Sequence, residues 1–286
     1  MKTAKRIACI LLAVLFGIIA FLALLAAALL IADAAVDASA RVLPSYARTD
    51  ISALLQKEEW TDDDYHTLYL QTGLGRSALD GMHGDDDAIL AFQDALFYDG
   101  ARTHEIVAFT TKRDIFADDG YRTPMVDLED GDVLVTSTCH TFGWRNGHAA
   151  LVVNGTLGSL LESVSLGTPS VVNTFGNDWF RYGTNFIVLR LKDADEETRA
   201  QIAAMARERL YDIPYSLTVG FLSPKDQGET PQGTHCSHLV WQAFYYFGYD
   251  IDANGGPLCS AQDIANSPLF EVVQVSGFDP VALWSY

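Results

Sequence analysis

From Ile7 to Ala32 the chain carries no charged residue, and this block limits the possible folds more than any other feature. A helix crossing the hydrocarbon core of a bilayer needs about 20 apolar residues, and the block exceeds that length. Cleaved signal peptides usually have a shorter apolar region of about 7–15 residues. The flank Ala32-Asp33-Ala34-Ala35 resembles a cleavage site, so secretion after cleavage is the alternative, but the length of the block favours a retained membrane anchor. Lys2, Lys5 and Arg6 precede it, and Asp33 and Asp37 follow it. The positive-inside rule then keeps the short N-terminus in the cytoplasm and places everything from about Asp33 onward outside. The expected localisation is the cell membrane, single-pass, with an extracytoplasmic soluble part.

Part of the 49% hydrophobic content sits in that block, so the soluble part is more polar than the average suggests. The 37 acidic residues against 19 basic ones give a formal net charge of −18. Such a surface is not drawn to phosphate backbones or anionic lipid, and no nucleic-acid partner is expected. The clusters Asp62-Asp63-Asp64 and Asp85-Asp86-Asp87 read as helix starts, where the dipole favours carboxylates and Thr61 supplies a cap. Asp250-Ile251-Asp252-Ala253-Asn254-Gly255 begins like a calcium loop, but position twelve is Ala261 rather than a bidentate glutamate. An Asn-Gly turn explains it, and no metal or cofactor is assigned.

The chain divides by pattern into three stretches: residues 1–45 as cytoplasmic stub, transmembrane anchor and linker; 46–130 as a helical subdomain; and 131–286 as a mixed unit. Helical periodicity is read from about Thr49 to Phe116, most clearly over Asp50–Glu59, Asp62–Gln71 and Asp86–Phe97. After Asp130-Gly131-Asp132 the pattern turns to short strands over Val133–Ser137, His148–Val153, Leu160–Val164 and Asn185–Leu191. Ala194–Leu210 and Cys236–Phe247 return to helix, the latter ended by Gly248. The fold class is α+β, a small antiparallel sheet with packed helices.

Four cysteines are too few for a disulfide scaffold in a chain of 286 residues. Cys9 lies in the anchor, and Cys139 and Cys259 could pair; whichever pair forms outside the membrane, one thiol is left over. Cys236 stands at a helix N-terminus, where unsatisfied N–H groups and the positive dipole end favour a thiolate. A lone cysteine there could also be a buried, inert one. His148 opens a strand and can serve as its base or ion-pair partner, unless it is simply a satisfied strand histidine. His235 and His238 flank the cysteine, yet His235 is expected to point away and His238 falls about 200° round the helix. Glu162, on the next strand, can orient the imidazole, or be an ordinary surface carboxylate.

Gly131-Asp132-Val133-Leu134, Gly147-His148-Ala149-Ala150-Leu151-Val152-Val153, Leu161-Glu162-Ser163 and Thr234-His235-Cys236-Ser237-His238-Leu239-Val240-Trp241 together resemble the permuted papain-like amidases. These are circularly permuted relatives of the NlpC-type cell-wall peptidases, in which the strand histidine and a polar residue precede the cysteine helix. The resemblance spans roughly Gly131 to Pro280, including the tail Asp263-Ile264-Ala265-Asn266-Ser267-Pro268. It implies Cys236 as nucleophile, His148 as general base and Glu162 as the orienting group. The Cys236 main-chain N–H is expected to contribute to an oxyanion hole, and Tyr215 is a further candidate donor. The expected function is a cysteine hydrolase of amide bonds in cell-wall peptides. A lipid-directed thioesterase or acyltransferase and a silent surface-binding module are the alternatives; an apolar groove beside Cys236 would favour the lipid reading.

Overall fold

Val133–Thr136, His148–Asn154 and Phe186–Leu191 carry apolar residues at most positions, and strands of that kind need cover on both faces. In the computed structural model, which describes residues 2–37, 43–108, 111–118, 120–173, 180 and 182–284, they receive it. The chain runs through helices α1 (Lys2–Asp37), α2 (Ser52–Leu55), α3 (Asp62–Thr72), α4 (Arg76–Gly81) and α5 (Asp86–Leu96). A hairpin of β1 (Arg102–Ala108) and β2 (Thr111–Phe116) follows, then β3 (Val133–Thr136), β4 (Cys139–Thr141), β5 (His148–Asn154), β6 (Ser159–Glu162), β7 (Val171–Asn173) and β8 (Phe186–Leu191). Helices α6 (Glu196–Arg209), α7 (Cys236–Tyr245) and α8 (Ala261–Ala265) and strand β9 (Phe270–Ser276) complete it.

Six strands form one antiparallel sheet in the order β7-β6-β5-β3-β8-β9. Alternate residues of the central strands feed different cores. Val133, Val135, Ala149, Leu151 and Ile187 pack with Ile202 of α6, Val240 and Phe244 of α7 and Ile264 of α8. Leu134, Ala150, Val152 and Val188 pack with Leu68 of α3, Leu79 of α4 and Ile89 and Phe92 of α5. The sheet is therefore the middle of three layers, and helices α2 to α5 share its core. Each large apolar side chain buried in these layers contributes about 1.5–3 kcal/mol of transfer free energy.

Thr61 and Asp64 form the capping box that opens α3, so that acidic cluster is helix-start chemistry. Asp85 likewise caps α5 by accepting from the Ala88 N–H. The helical reading as far as Phe116 is corrected at its end. Residues 102–116 contain a hairpin in which Glu105 stands opposite and ion-pairs Arg113, and β-branched Thr103, Ile106, Thr111 and Ile115 suit the pleat. Over Asp50–Glu59 only Ser52–Leu55 is helical; the chain leaves the helix and brings the Trp60 indole N–H onto the Leu54 carbonyl at 2.8 Å. β4, β7 and β9 are further strands that the periodicity did not single out. Cys139 and Cys259 are both free thiols, which leaves their possible pairing unrealised.

The first helix contains an apolar stretch, Cys9–Val36, long enough to span a membrane or to be a signal sequence. The Asp250–Gly255 segment is a turn: the Asp250 carboxylate accepts from the Trp241 indole and the Asp252 N–H, and Asp252 binds the Lys225 ammonium.

Where β3 begins, Asp132 is fully buried and takes a two-pronged bond from Arg190 of β8, both contacts at 2.8 Å. Burial pushes the Asp132 carboxyl up, and the guanidinium opposes that push. Removing one member of such a pair strands the other charge in the core. Arg190→Met is expected to destabilise the full chain in detergent by about 3–5 kcal/mol, read from the denaturant midpoint, with most of the loss recovered in Arg190→Met/Asp132→Leu. A loss under about 1 kcal/mol, the range of exposed pairs, would show that the pair does not brace the β3–β8 junction.

Candidate active site

Antiparallel neighbours bring the end of one strand beside the start of the other, so His148 at the start of β5 and Glu162 at the end of β6 share one edge of the sheet. His148 Nε2 lies 2.9 Å from Glu162 Oε2, and both side chains are buried. The other carboxylate oxygen accepts from Asn173 Nδ2 at 3.1 Å, from β7. With Nε2 engaged by Glu162, Nδ1 is the nitrogen left for the Cys236 thiol, with which His148 hydrogen-bonds. The entry into β5 is set by Gly147, whose φ of +65° suits glycine and whose N–H donates to the Cys139 carbonyl at 2.9 Å. A Cβ there would stand 2.6 Å from the Thr136 carbonyl oxygen.

Cys236 is the first residue of α7, and Ser237 to Phe244 are all buried. The helix is thus enclosed on every side rather than exposing a polar stripe, and its N-terminus is fixed by the layers around it. Neither the Cys236 nor the Ser237 main-chain N–H has an acceptor among the described residues. Both remain able to meet a developing negative charge beside the thiol.

The expectation for His235 is overturned. It is the N-cap of α7 with extended backbone (φ −132°, ψ 172°), and its Nδ1 accepts from the His238 N–H at 3.3 Å. A capping side chain folds back over the first turn, and this brings the ring into hydrogen-bonding contact with the Cys236 thiol. His238 is held apart from the chemistry: Nδ1 pairs with the Thr234 hydroxyl at 2.9 Å and Nε2 donates to the Lys225 carbonyl at 2.7 Å. Burial and the nearby His235 push its pKa down to about 4, so it stays neutral.

Burial alone would raise the Cys236 thiol. Hydrogen bonds from His148 and His235, with the charge of the His148 ring, outweigh it and hold the thiol well below its ordinary value. Burial works against protonation of His148, while the thiolate and Glu162 raise it to about 10. Both directions favour the thiolate–imidazolium form of the pair. Burial pushes the Cys139 thiol up to about 12 and raises Cys259 well above the usual range, so neither competes as a nucleophile.

The thiol opens onto a cleft of about 210 Å³ whose walls include Trp144, Tyr215, Leu217, Phe221 and Leu258. Burial, then the charge on Cys236, raises the Tyr215 phenol. Tyr215 keeps its proton and can donate it in a hydrogen bond. Asn173, His235 and the apolar walls were missed in the sequence. Asn173 sits on a three-residue strand, and the wall residues come from loops without periodicity. Among the described residues, no group of three or more His, Cys, Asp or Glu side chains is gathered as a metal ion would need.

No family model matches the sequence, and no curated protein does. A crystal structure titled metalloprotein yiiX from Escherichia coli O157:H7, DUF1105, is similar over 53% of this chain and 99% of that chain, with 13% identity and a TM-score of 0.41. That likeness is too slight to carry fold or function.

Replacing His235 by asparagine keeps a good N-cap and removes the second imidazole. A hydrogen bond to a charged group is worth about 1.5–3 kcal/mol, which is on the order of one to two pKa units. In His235→Asn the midpoint for iodoacetamide alkylation of Cys236 is expected to move upward by that amount, so that labelling at mildly acidic pH slows while labelling at alkaline pH is unchanged. An unmoved midpoint would assign His235 to capping alone.

Proposed function

We propose that this chain is a membrane-anchored extracytoplasmic cysteine hydrolase with a permuted papain-like catalytic unit. The observation that carries the reading is the buried His148, bonded to Glu162 on one side and to the Cys236 thiol on the other. The chain order supports the permutation: strand histidine, next-strand carboxylate, then the cysteine helix packed on the same sheet. One apolar helix at the N-terminus, preceded by Lys2, Lys5 and Arg6, agrees with a chain tethered there and facing outward.

The Cys236 thiolate adds to the scissile carbonyl carbon, and the oxygen takes the negative charge near the free N–H groups of Cys236 and Ser237 and the Tyr215 hydroxyl. When the carbon–nitrogen bond breaks, the leaving nitrogen takes the proton of the His148 imidazolium and the acyl group stays on sulfur as a thioester. Neutral His148 then removes a proton from water as its oxygen adds to the thioester carbon. The carboxylic acid leaves, and sulfur returns as thiolate beside a reprotonated imidazole. Glu162 holds the ring and stabilises its charge throughout, and Asn173 holds Glu162.

Two substrate classes fit this chemistry. Amide bonds of cell-wall peptides suit an exported enzyme of the family that the motifs resemble. The walls of the cleft favour a second reading, an amide or thioester with an acyl chain beside the carbonyl, because Trp144, Leu217, Phe221 and Leu258 offer apolar area and no charge to a peptide. The two separate by digestion of muropeptides and of N-acylated lipids with the full chain in detergent, products being read by mass spectrometry.

Cys236→Ala is expected to abolish turnover, and Glu162→Gln to lower kcat about 10²–10⁴-fold with little change in KM. Cleavage of the acylated lipid alone selects the second reading, and cleavage of the muropeptide alone selects the first. No cleavage of either, together with Cys236 alkylating no faster than the buried Cys139, would identify a silent binding module.

A further inference from the structure

The membrane helix is joined to the soluble layers by more than the chain. Near its outer end Asp33 is buried, takes a bond from Lys112 Nζ at 2.5 Å and lies 3.2 Å from His140 Nδ1. His140, fully buried on β4, reaches Asp114 of β2 through Nε2 at 3.3 Å. Arg145 completes the network, donating to Asp114 Oδ2 at 2.7 Å, to the Ser137 carbonyl at 2.6 Å and to the Val36 carbonyl of α1 at 2.7 Å. A buried charge of this kind is strongly destabilising when a partner is withdrawn, so the helix end is clamped to β2, β4 and the loop that leads to His148.

That loop also touches the helix. Phe142 (φ +48°) and Gly143 (φ +84°) make a two-residue turn closed by reciprocal bonds between Thr141 and Trp144 at 2.8 and 2.9 Å. A left-handed phenylalanine is costly and persists only where its surroundings demand it. Gly143 lies so close to α1 that a Cβ would stand 2.5 Å from the Ala32 side chain. Phe142 and Trp144 are left beside the helix, 45% and 61% exposed.

Their height follows from helix geometry. From Ile7 to Ala32 the rise is about 37 Å at about 1.5 Å per residue, against about 30 Å of hydrocarbon and about 40–45 Å with headgroups. With the charge-free block starting at the inner boundary, Ala32 falls in the outer headgroup layer, where aromatic side chains are favoured.

We infer that the Phe142–Trp144 turn is seated in the outer-leaflet interface of the bilayer, so that the Cys236 cleft opens onto the lipid surface. Trp144 is both a turn residue and a wall of that cleft. Leu217 and Phe221, 66% and 78% exposed, continue the apolar lip. The occupant of this face is lipid, because the face is continuous with the membrane-spanning helix at Gly143 and Ala32. At a net charge of −18 the seating rests on apolar contact and the clamp, and zwitterionic lipid suffices. The inference depends on the retained-anchor reading, and it fixes how a substrate reaches the thiolate: sideways from the membrane.

The test uses the full chain in phosphatidylcholine nanodiscs, with lipid brominated high on the acyl chain as a quencher of tryptophan fluorescence. Brominated lipid is expected to quench the wild type, with about half or more of that quenching lost in Trp144→Phe. Asp33→Ala, which releases the clamp but keeps Trp144, is expected to reduce quenching as well. Equal quenching in the wild type and Trp144→Phe overturns the seating, and unchanged quenching in Asp33→Ala overturns the clamp. A chain that does not enter nanodiscs at all contradicts the anchor itself, and the seating with it.

Discussion

A thiolate beneath a cleft is tolerable only where positive charge is already in place, and the pairing of Cys236 with a buried imidazole is the constraint on which the rest of the site depends. Burial pushes the thiol towards its neutral form, so the rings of His148 and His235 must stand at fixed positions before the sulfur can ionise. His148 is fixed by Glu162, Glu162 by Asn173, and the turn into β5 by a glycine that no larger residue could replace. His235 is fixed by its own capping bond. The antiparallel pairing of β5 with β6 and the enclosure of α7 are what hold these groups within reach of one another.

Much of this was legible in the residues. Cys236, His148 and Glu162 each stand at an element boundary marked by a change of period, and boundaries are where catalytic side chains can leave the layers. His235 was misjudged because a residue at the helix start was taken to point away from Cys236, whereas an N-cap has extended backbone and folds its side chain back over the first turn. The hairpin over 102–116 was hidden by the helical pattern before it and shows itself only through cross-strand pairs such as Glu105 with Arg113. The apolar walls of the cleft come from loops around Trp144, Leu217 and Phe221, where no periodicity announces a shared surface. Nor could the strand pattern reveal that one helical layer would cover each face of the sheet.

The N-terminal block, first read only as an anchor, also takes part in the folded unit. Asp33, which composition alone marks as a polar flank, is a partner of His140 and Lys112. The loop it braces runs directly into His148, so the N-terminal apolar helix, the cleft wall and the imidazole are consecutive parts of one arrangement. On the proposed reading of that helix as a retained anchor, an apolar lip beside Cys236 suits a substrate that is itself held in the membrane.

The most direct measurement is the near-ultraviolet absorbance of the thiolate, taken as the difference between the wild type and Cys236→Ser across a pH titration. A preformed ion pair requires the thiolate signal to be present at neutral pH and to disappear only as pH falls through the depressed midpoint of Cys236, well below the ordinary thiol value of 9.0. In His148→Ala the midpoint should rise, since burial would then act without its main counterweight. A wild-type signal that appears only at or above pH 9.0 would contradict the preformed pair and reduce Cys236 to a buried, inert thiol.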